Sequence, residues 1–304
     1  MTRTAESSEL TFSTVESLGA VGLDPAEVRH VVGVALAEDL GGPDGVDLTS
    51  VATIPASQHD VGDVVARADG MVAGLAVAQA VFDVASRGAA YFRTGVRDGD
   101  RVSRGDILAT VSGSTRVLLT AERTALNFLC HMSGIATHTR AWADALRGTK
   151  AMVLDTRKTT PGLRLLEKYA VRAGGGTNKR MGLYDVAMVK DNHKLAAGGV
   201  AAAYRRVREA FAEAPVQVEV TTVAEAREAV EAGATFLLCD NMSPALLREV
   251  VAAVGDRAEL EATGGLTLAV AAEYAATGVD YLSVGALTHS SPILDIALDL
   301  RGQG

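Results

Sequence analysis

Residues 216–240 read VQVEVTTVAEAREAVEAGATFLLCD: valines alternating with Gln217 and Glu219, a helix pattern over VAEAREAVEAG, then the apolar run TFLLC. Because successive strand side chains point to opposite faces, Glu219 is set against Val218 and Val220 and faces the lumen if the valines meet helices. Outward from this unit the pattern repeats. AMVLD and DVAMV precede it, AELEA and DYLSV follow, and the intervening helix patterns are plainest in AAAYRRVREAFA, SPALLREVVAAV and LAVAAEYAATG. Six strands alternating with helices imply parallel pairing. A doubly wound sheet and a barrel both satisfy this, but polar residues after nearly every strand favour a barrel whose C-terminal rim carries the chemistry. The expectation is a six-stranded, incomplete barrel.

The part before it has a different rhythm. Residues 1–23 are rich in Ser, Thr and Glu and read as a loose arm; Asp24-Pro25 is an N-cap followed by proline, opening the helix AEVRHVVGVALAEDL. Short alternating runs broken by Gly and Asp follow, as in a compact α+β domain. DGDRVSRGDILATVSG looks like a lipoyl-carrier hairpin, but a carrier needs a lysine there, and none precedes Lys150. Thr120 opens a long helix with apolar residues at 126, 129, 132 and 135, which reads as the hinge between domains. The expected division is an arm over 1–23, an N-terminal domain over 24–128, a barrel over 129–287, and a segment over 288–304 returning to the N-terminal domain.

The chain has 304 residues, with 48% hydrophobic and 22% charged, the composition of a soluble globular protein. No run is apolar enough for a membrane helix, and the start lacks a signal peptide's pattern, so the reading is cytoplasmic. Cys130 and Cys239 lie far apart in apolar runs and read as buried thiols. The net charge of -8 argues against a nucleic-acid partner. Yet all six lysines fall between Lys150 and Lys194, where four arginines and only four acidic residues join them. An acidic chain has kept one basic island.

The rim positions follow from the strand ends. Asp155–Thr160 follows the first, Lys190-Asp191-Asn192-His193 the second, and Asp240-Asn241 the fourth. Thr263-Gly264-Gly265 and Gly285 follow the last two, where barrels of this kind hold phosphate on glycine backbone N–H groups. Glu219 and Asp240, on adjacent strands, suit vicinal hydroxyls or waters on magnesium, which prefers oxygen ligands. Arg123, Arg157 and Arg180 can fork onto carboxylates, while Lys158 and Lys190 supply point charges. The set is a receptor for a polyanion.

DTRKTTPGLRLLEKYAVRAGGGTNKR, MVKDNH, VEV, LCDN, ATGG and VGALTH, in this order, resemble the quinolinate phosphoribosyltransferases, and EDLGGPDGVDLTS with ERTALNFL resembles their N-terminal part. The resemblance spans roughly residues 25–300. It implies an N-terminal α/β sandwich followed by an open α/β barrel, and homodimers with shared active sites. It implies ribosyl transfer from phosphoribosyl pyrophosphate to quinolinate with decarboxylation, giving nicotinate mononucleotide, carbon dioxide and pyrophosphate in NAD biosynthesis.

By the same resemblance Arg123 from the partner subunit, Arg157, Lys158, Arg180 and Lys190 hold the two quinolinate carboxylates. Glu219 and Asp240 face the ribose hydroxyls and magnesium, and Thr263, Gly264 and Gly285 hold the 5′-phosphate. His289 lies near the pyrophosphate. Lys158, Lys190, Glu219 and Asp240 are the expected catalytic set.

The sequence departs from the family at GGGTNKR, where Lys179 stands in place of a usual histidine beside Arg180, and at Thr221 and Thr263. The exchange adds positive charge on a flexible stem and loses rigid placement, which leaves open a paralogue for another pyridine carboxylate. Two further readings stay open: a Schiff-base aldolase built on Lys190, and a non-catalytic relative of the molybdenum-transport type.

Overall fold

The computed structural model describes residues 10–42 and 45–301. Contacts divide the chain into two units. One comprises the residues up to His138, Pro161–Gly174 and the chain from Ser291; the other comprises Thr139–Thr160 and Gly175–Ser290. The strands of the N-terminal part are β1 (His59–Ala66), β2 (Gly70–Met71), β3 (Tyr91–Thr94), β4 (Arg101–Val102) and β5 (Ile107–Ser114). Those of the second unit are β6 (Met152–Leu154), β7 (Ala187–Val189), β8 (Val216–Val220), β9 (Phe236–Asp240), β10 (Glu259–Thr263) and β11 (Tyr281–Ser283), and β12 (Ile296–Leu300) follows.

In the first unit an antiparallel sheet runs β12-β1-β5-β3, and β2 pairs with β4. Val64 of β1 faces Leu298 of β12 on one side and Ala109 of β5 on the other. The helix Leu75–Ser86 is buried from Leu75 through Asp83 and forms the centre of this core. Asp24 accepts from the N–H groups of Ala26 and Glu27 and caps the helix Pro25–Leu40, with Pro25 in its first turn, as the Asp-Pro pair predicts.

The loose arm expected over 1–23 needs correction within the described residues. Phe12–Ala20 is a helix capped by Thr11, and Leu18 is fully buried. Its anchor is polar: Thr11 Oγ1 and Thr14 Oγ1 both donate to Asp83 Oδ2, at 2.7 and 2.5 Å. A composition reading registers the Ser, Thr and Glu of this segment but not the distant carboxylate that satisfies them. Residues 1–9 lie outside the described residues.

The linear division at 128/129 also differs from the contact division, which falls inside the helix Thr115–Ala145, after His138. This helix begins five residues before Thr120, and its predicted apolar face is buried at Leu126, Leu129, Met132 and Ile135. The helix Arg164–Ala173 belongs to the first unit, where Tyr169 Oη donates to Asp98 Oδ2 at 2.5 Å and His131 Nε2 meets the fully buried Glu167 at 2.9 Å. A chain that leaves a unit and returns has no single boundary in sequence.

The second unit is a parallel sheet in the order β6-β11-β10-β9-β8-β7. β6 and β7 are its edges, and Thr177 adds a parallel bridge to Leu154 on the β6 side. Val218, Val220, Leu237, Cys239, Leu260 and Ala262 are at most 1% exposed and face the surrounding helices, so the alternate residues Gln217, Glu219, Leu238 and Glu261 point inward. Leu154, Gln217, Phe236, Glu259 and Tyr281, from five strands, line one cavity of about 180 Å³. The sheet therefore curls around its inner face as an incomplete barrel. Among the described residues no helix is long and apolar enough to cross a membrane.

Candidate active site

A pocket of about 900 Å³ opens at the C-terminal rim of the second unit. Arg157, Lys158, Lys179, Arg180, Lys190, Glu219, Asp240 and Thr263 all line it, so eight of the expected positions converge although Thr263 lies 106 positions after Arg157. Parallel strands all end on one rim, which is why residues after successive strands meet there. One wall is apolar, with Leu183, Met188 and Val207, and suits the face of a flat ring. Against it stand six cationic side chains, including Arg206, and two carboxylates.

The cations are not equally available. Arg157 offers a buried Nε with no protein acceptor, a donor left for a ligand. Arg180 is held by Val186 O at 2.9 Å and Met188 Sδ at 3.6 Å, and burial together with the neighbouring Arg157 disfavours its charge, a strain that an anion would relieve. Lys190 sits at the end of β7, where its backbone N–H donates to His193 Nδ1 at 3.0 Å and its ammonium lies 3.9 Å from Glu219. The basic island as a whole is less available than its sequence suggests. Lys150 pairs with Asp280, Lys194 is buried between Asp191 and Glu225, and Lys168 is fully buried in the first unit.

Lys179 differs most from its reading. Its ammonium meets Oε1 of the fully buried Glu261 at 2.5 Å, and its side chain is only 11% exposed. The flexible stem expected from sequence is thus pinned, and the added charge is matched by an acid. Asp155, also fully buried, accepts from Lys179 N and from Asn178 Nδ2 at 2.8 and 2.6 Å, which fixes the backbone of the same loop. Asp185 does likewise for Met181 and Gly182.

Glu219 is buried beside the pocket; burial raises its pKa, Lys190 opposes this, and Asp240 and Asp191 add to it. Two carboxylates that repel one another in a half-dry site fit a divalent cation. Among the described residues no cluster of three metal-ligating side chains occurs, so such an ion would draw its remaining ligands from water and substrate oxygens.

The loop after β10 takes its shape from two glycines. Gly264 and Gly265 both have positive φ, +100° and +60°, and a Cβ on Gly264 would lie 2.2 Å from Asn241 Oδ1. Asn241 is itself left-handed at φ 52°; its side chain donates to Asp240 Oδ2 at 2.9 Å and its backbone N–H donates to Thr263 O at 3.0 Å, which ties the ends of β9 and β10 together. After β11, a Cβ on Gly285 would lie 3.0 Å from Lys158 Cδ and 3.1 Å from His289 Nε2, which brings these three expected positions together. Thr288 Oγ1 donates to Lys158 O at 2.8 Å and holds that loop in place. Arg123 belongs to the first unit, exposed on the helix Thr115–Ala145, and does not line this pocket.

The sequence reading placed Asp155 on the rim and Gln217 in alternation with the valines of VQVEV without giving either a role, and it passed over Glu261 and Arg206. AELEA carries the same alternation as VQVEV, so Glu261 could have been found by the argument that found Glu219; Arg206 gave no signal, being one arginine of a helix face.

The quinolinate phosphoribosyl transferase N-terminal domain matches residues 47–133 and the C-terminal domain residues 135–299. The nicotinate-nucleotide pyrophosphorylase [carboxylating] of Mycobacterium leprae is 50% identical over 278 residues, covering 90% of this chain and 96% of that protein. Among solved structures, NadC from Streptococcus pyogenes is 38% identical with a TM-score of 0.86, covering 92% of this chain and 97% of that one. The nicotinate-nucleotide pyrophosphorylase from Francisella tularensis is 33% identical with a TM-score of 0.88, covering 92% and 99%.

Proposed function

The chain belongs to the quinolinate phosphoribosyltransferase family, and from that premise we propose how its residues carry out the transfer. The chain joins quinolinate to phosphoribosyl pyrophosphate and releases nicotinate mononucleotide, carbon dioxide and pyrophosphate. The observation that carries this reading is the pocket itself, in which a cationic, partly apolar ring site adjoins the Glu219–Asp240 pair and the Gly264-Gly265 loop.

Arg157, Arg180, Lys179 and Lys190 bind the two pyridine carboxylates, and Arg157 Nε, without a protein acceptor, donates to one of them. Backbone N–H groups of Thr263, Gly264 and Gly285 hold the 5′-phosphate. Lys158 and His289, which both pack against Gly285, take the pyrophosphate. Glu219 and Asp240 hold the ribose hydroxyls and would hold magnesium, which would supply positive charge to the departing pyrophosphate.

The pyridine nitrogen attacks the anomeric carbon as the pyrophosphate bond breaks. The two carboxylates stabilise the positive charge that grows on the ribose. The C2–carboxylate bond then breaks, its electron pair stays on C2 beside the quaternised nitrogen, and C2 takes a proton. A homodimer in which Arg123 reaches the partner's pocket completes the carboxylate site, and the cytosol is the expected compartment.

Purified protein with magnesium should convert quinolinate, and not nicotinate or nicotinamide, to a mononucleotide with release of pyrophosphate and carbon dioxide, and EDTA should stop it. Conversion of another pyridine acid in preference to quinolinate would make the chain a paralogue of altered specificity. Absence of any product would sink the assignment.

A further inference from the structure

Outside the groups already given roles, one buried acid stands against the pocket wall. Glu261 lies on the inner face of β10, fully buried, and does not line the pocket. It therefore cannot touch a substrate. Both of its oxygens are engaged: Oε1 takes the ammonium of Lys179 at 2.5 Å and Oε2 takes Nε2 of Gln217, on β8, at 2.6 Å. A carboxylate removed from water this completely is tolerated only with a charged partner and its remaining lone pairs satisfied. Lys179 is that partner, and unlike Glu261 it does line the pocket.

Lys179 is held at both ends. Its backbone N–H donates to Asp155 at the end of β6, and its tip is drawn to Glu261 on β10. Burial is the main influence disfavouring the ammonium, and the cationic neighbours, Arg180 on the same loop and Lys190 at the end of β7, add to it. Among these groups Glu261 alone favours it. Burial pushes the thiol of Cys239 on β9 up to about 12 and the phenol of Tyr281 on β11 upward, with Glu261 a lesser contributor to both. Both are therefore neutral at physiological pH and leave the Lys179–Glu261 pair the charge-bearing unit of this wall.

We propose that Glu261, supported by Gln217, is a positioning residue that holds and aims the Lys179 ammonium, so that the pair rather than Lys179 alone sets recognition of the acidic substrate. This rests on the reading of the pocket as a site for a pyridine dicarboxylate. It is tested only once wild-type protein is seen to form the mononucleotide, so failure of that reading appears first and separately.

The experiment compares wild type, Glu261→Gln, and Glu261→Gln with Lys179→Arg, with KM and kcat for quinolinate and KM for phosphoribosyl pyrophosphate followed from about pH 6 to about 9.5. Without Glu261 the group that raises the Lys179 pKa is gone, so the ammonium loses its proton at lower pH and anion capture weakens as pH rises. Glu261→Gln should show a KM for quinolinate about tenfold or more above wild type at the basic end, converging toward wild type at the acidic end, with KM for the pyrophosphate donor within about twofold throughout. Arginine keeps its charge over this range, so adding Lys179→Arg should remove the basic limb. A quinolinate profile parallel to wild type, or a basic limb that survives Lys179→Arg, would overturn the proposal. Should Glu261→Gln not fold, Glu261→Asp retains the charge but withdraws it by one methylene. It should give a shallower limb of the same sign, and a wild-type profile there overturns the proposal equally.

Discussion

Glu219 and Glu261 occupy equivalent inward positions on β8 and β10, yet their surroundings give them opposite uses. Glu261 is fully buried and bound to a lysine; Glu219 is 8% exposed, lines the pocket, and is surrounded by Asp240 and Asp191 as well as Lys190. A carboxylate left near other carboxylates at a pocket wall is suited to a charge that arrives during reaction. Glu219→Ala should therefore lower kcat by about a hundredfold or more while KM for quinolinate changes by less than about threefold, measured by steady-state kinetics. The reverse split would make it a ground-state binding group. The alternation of VQVEV was enough to aim Glu219 inward, whereas the role of Lys179 was not legible, because the acid that holds it lies 82 residues further on.

The loop that follows β10 has little sequence identity beyond two glycines, and its function comes from the backbone they permit. Gly264 has φ of +100°, and any Cβ would collide with Asn241 Oδ1. Gly264→Ala must push Asn241 away or refold the loop, either of which moves the N–H groups proposed for the 5′-phosphate. It should cost about 1–3 kcal/mol in stability by urea unfolding. It should also raise KM for phosphoribosyl pyrophosphate about tenfold or more with KM for quinolinate less affected. Equal effects on both substrates would separate this loop from the phosphate. The glycines themselves were readable as turn formers; that Asn241 fills the space beside one of them was not, since it depends on β9 and β10 being neighbours in register, with Thr263 opposite Asp240.

For the molecule as a whole, the open question is where Arg123 acts. It sits exposed on the helix Thr115–Ala145 in the first unit, while the pocket is built within the second. If Arg123 works in the partner's site, two variants that are each inactive should complement. Mixing Arg123→Ala with Lys158→Ala under conditions of subunit exchange should restore up to about a quarter of wild-type sites, since half the dimers are mixed and each mixed dimer has one intact site. No recovery, with exchange verified by mass, would put Arg123 in its own subunit's site or outside any site.

The sequence by itself determined the alternation of strands and helices after Lys150, the inward face of β8, and the collection of Arg157, Lys158, Lys190, Asp240 and Thr263 at strand ends, because these follow from local periodicity and from the rule that parallel strands share a rim. Helix caps such as Asp24 were equally local. Only the tertiary structure decided which lysines of the basic island face the pocket, since Lys150, Lys168 and Lys194 find their surroundings elsewhere and Lys179 is matched by Glu261. It also decided that residues 161–174 belong with the N-terminal unit. The reason is the same in each case: a charge or a helix face is satisfied by whatever the fold brings beside it, and that partner can lie anywhere in the chain.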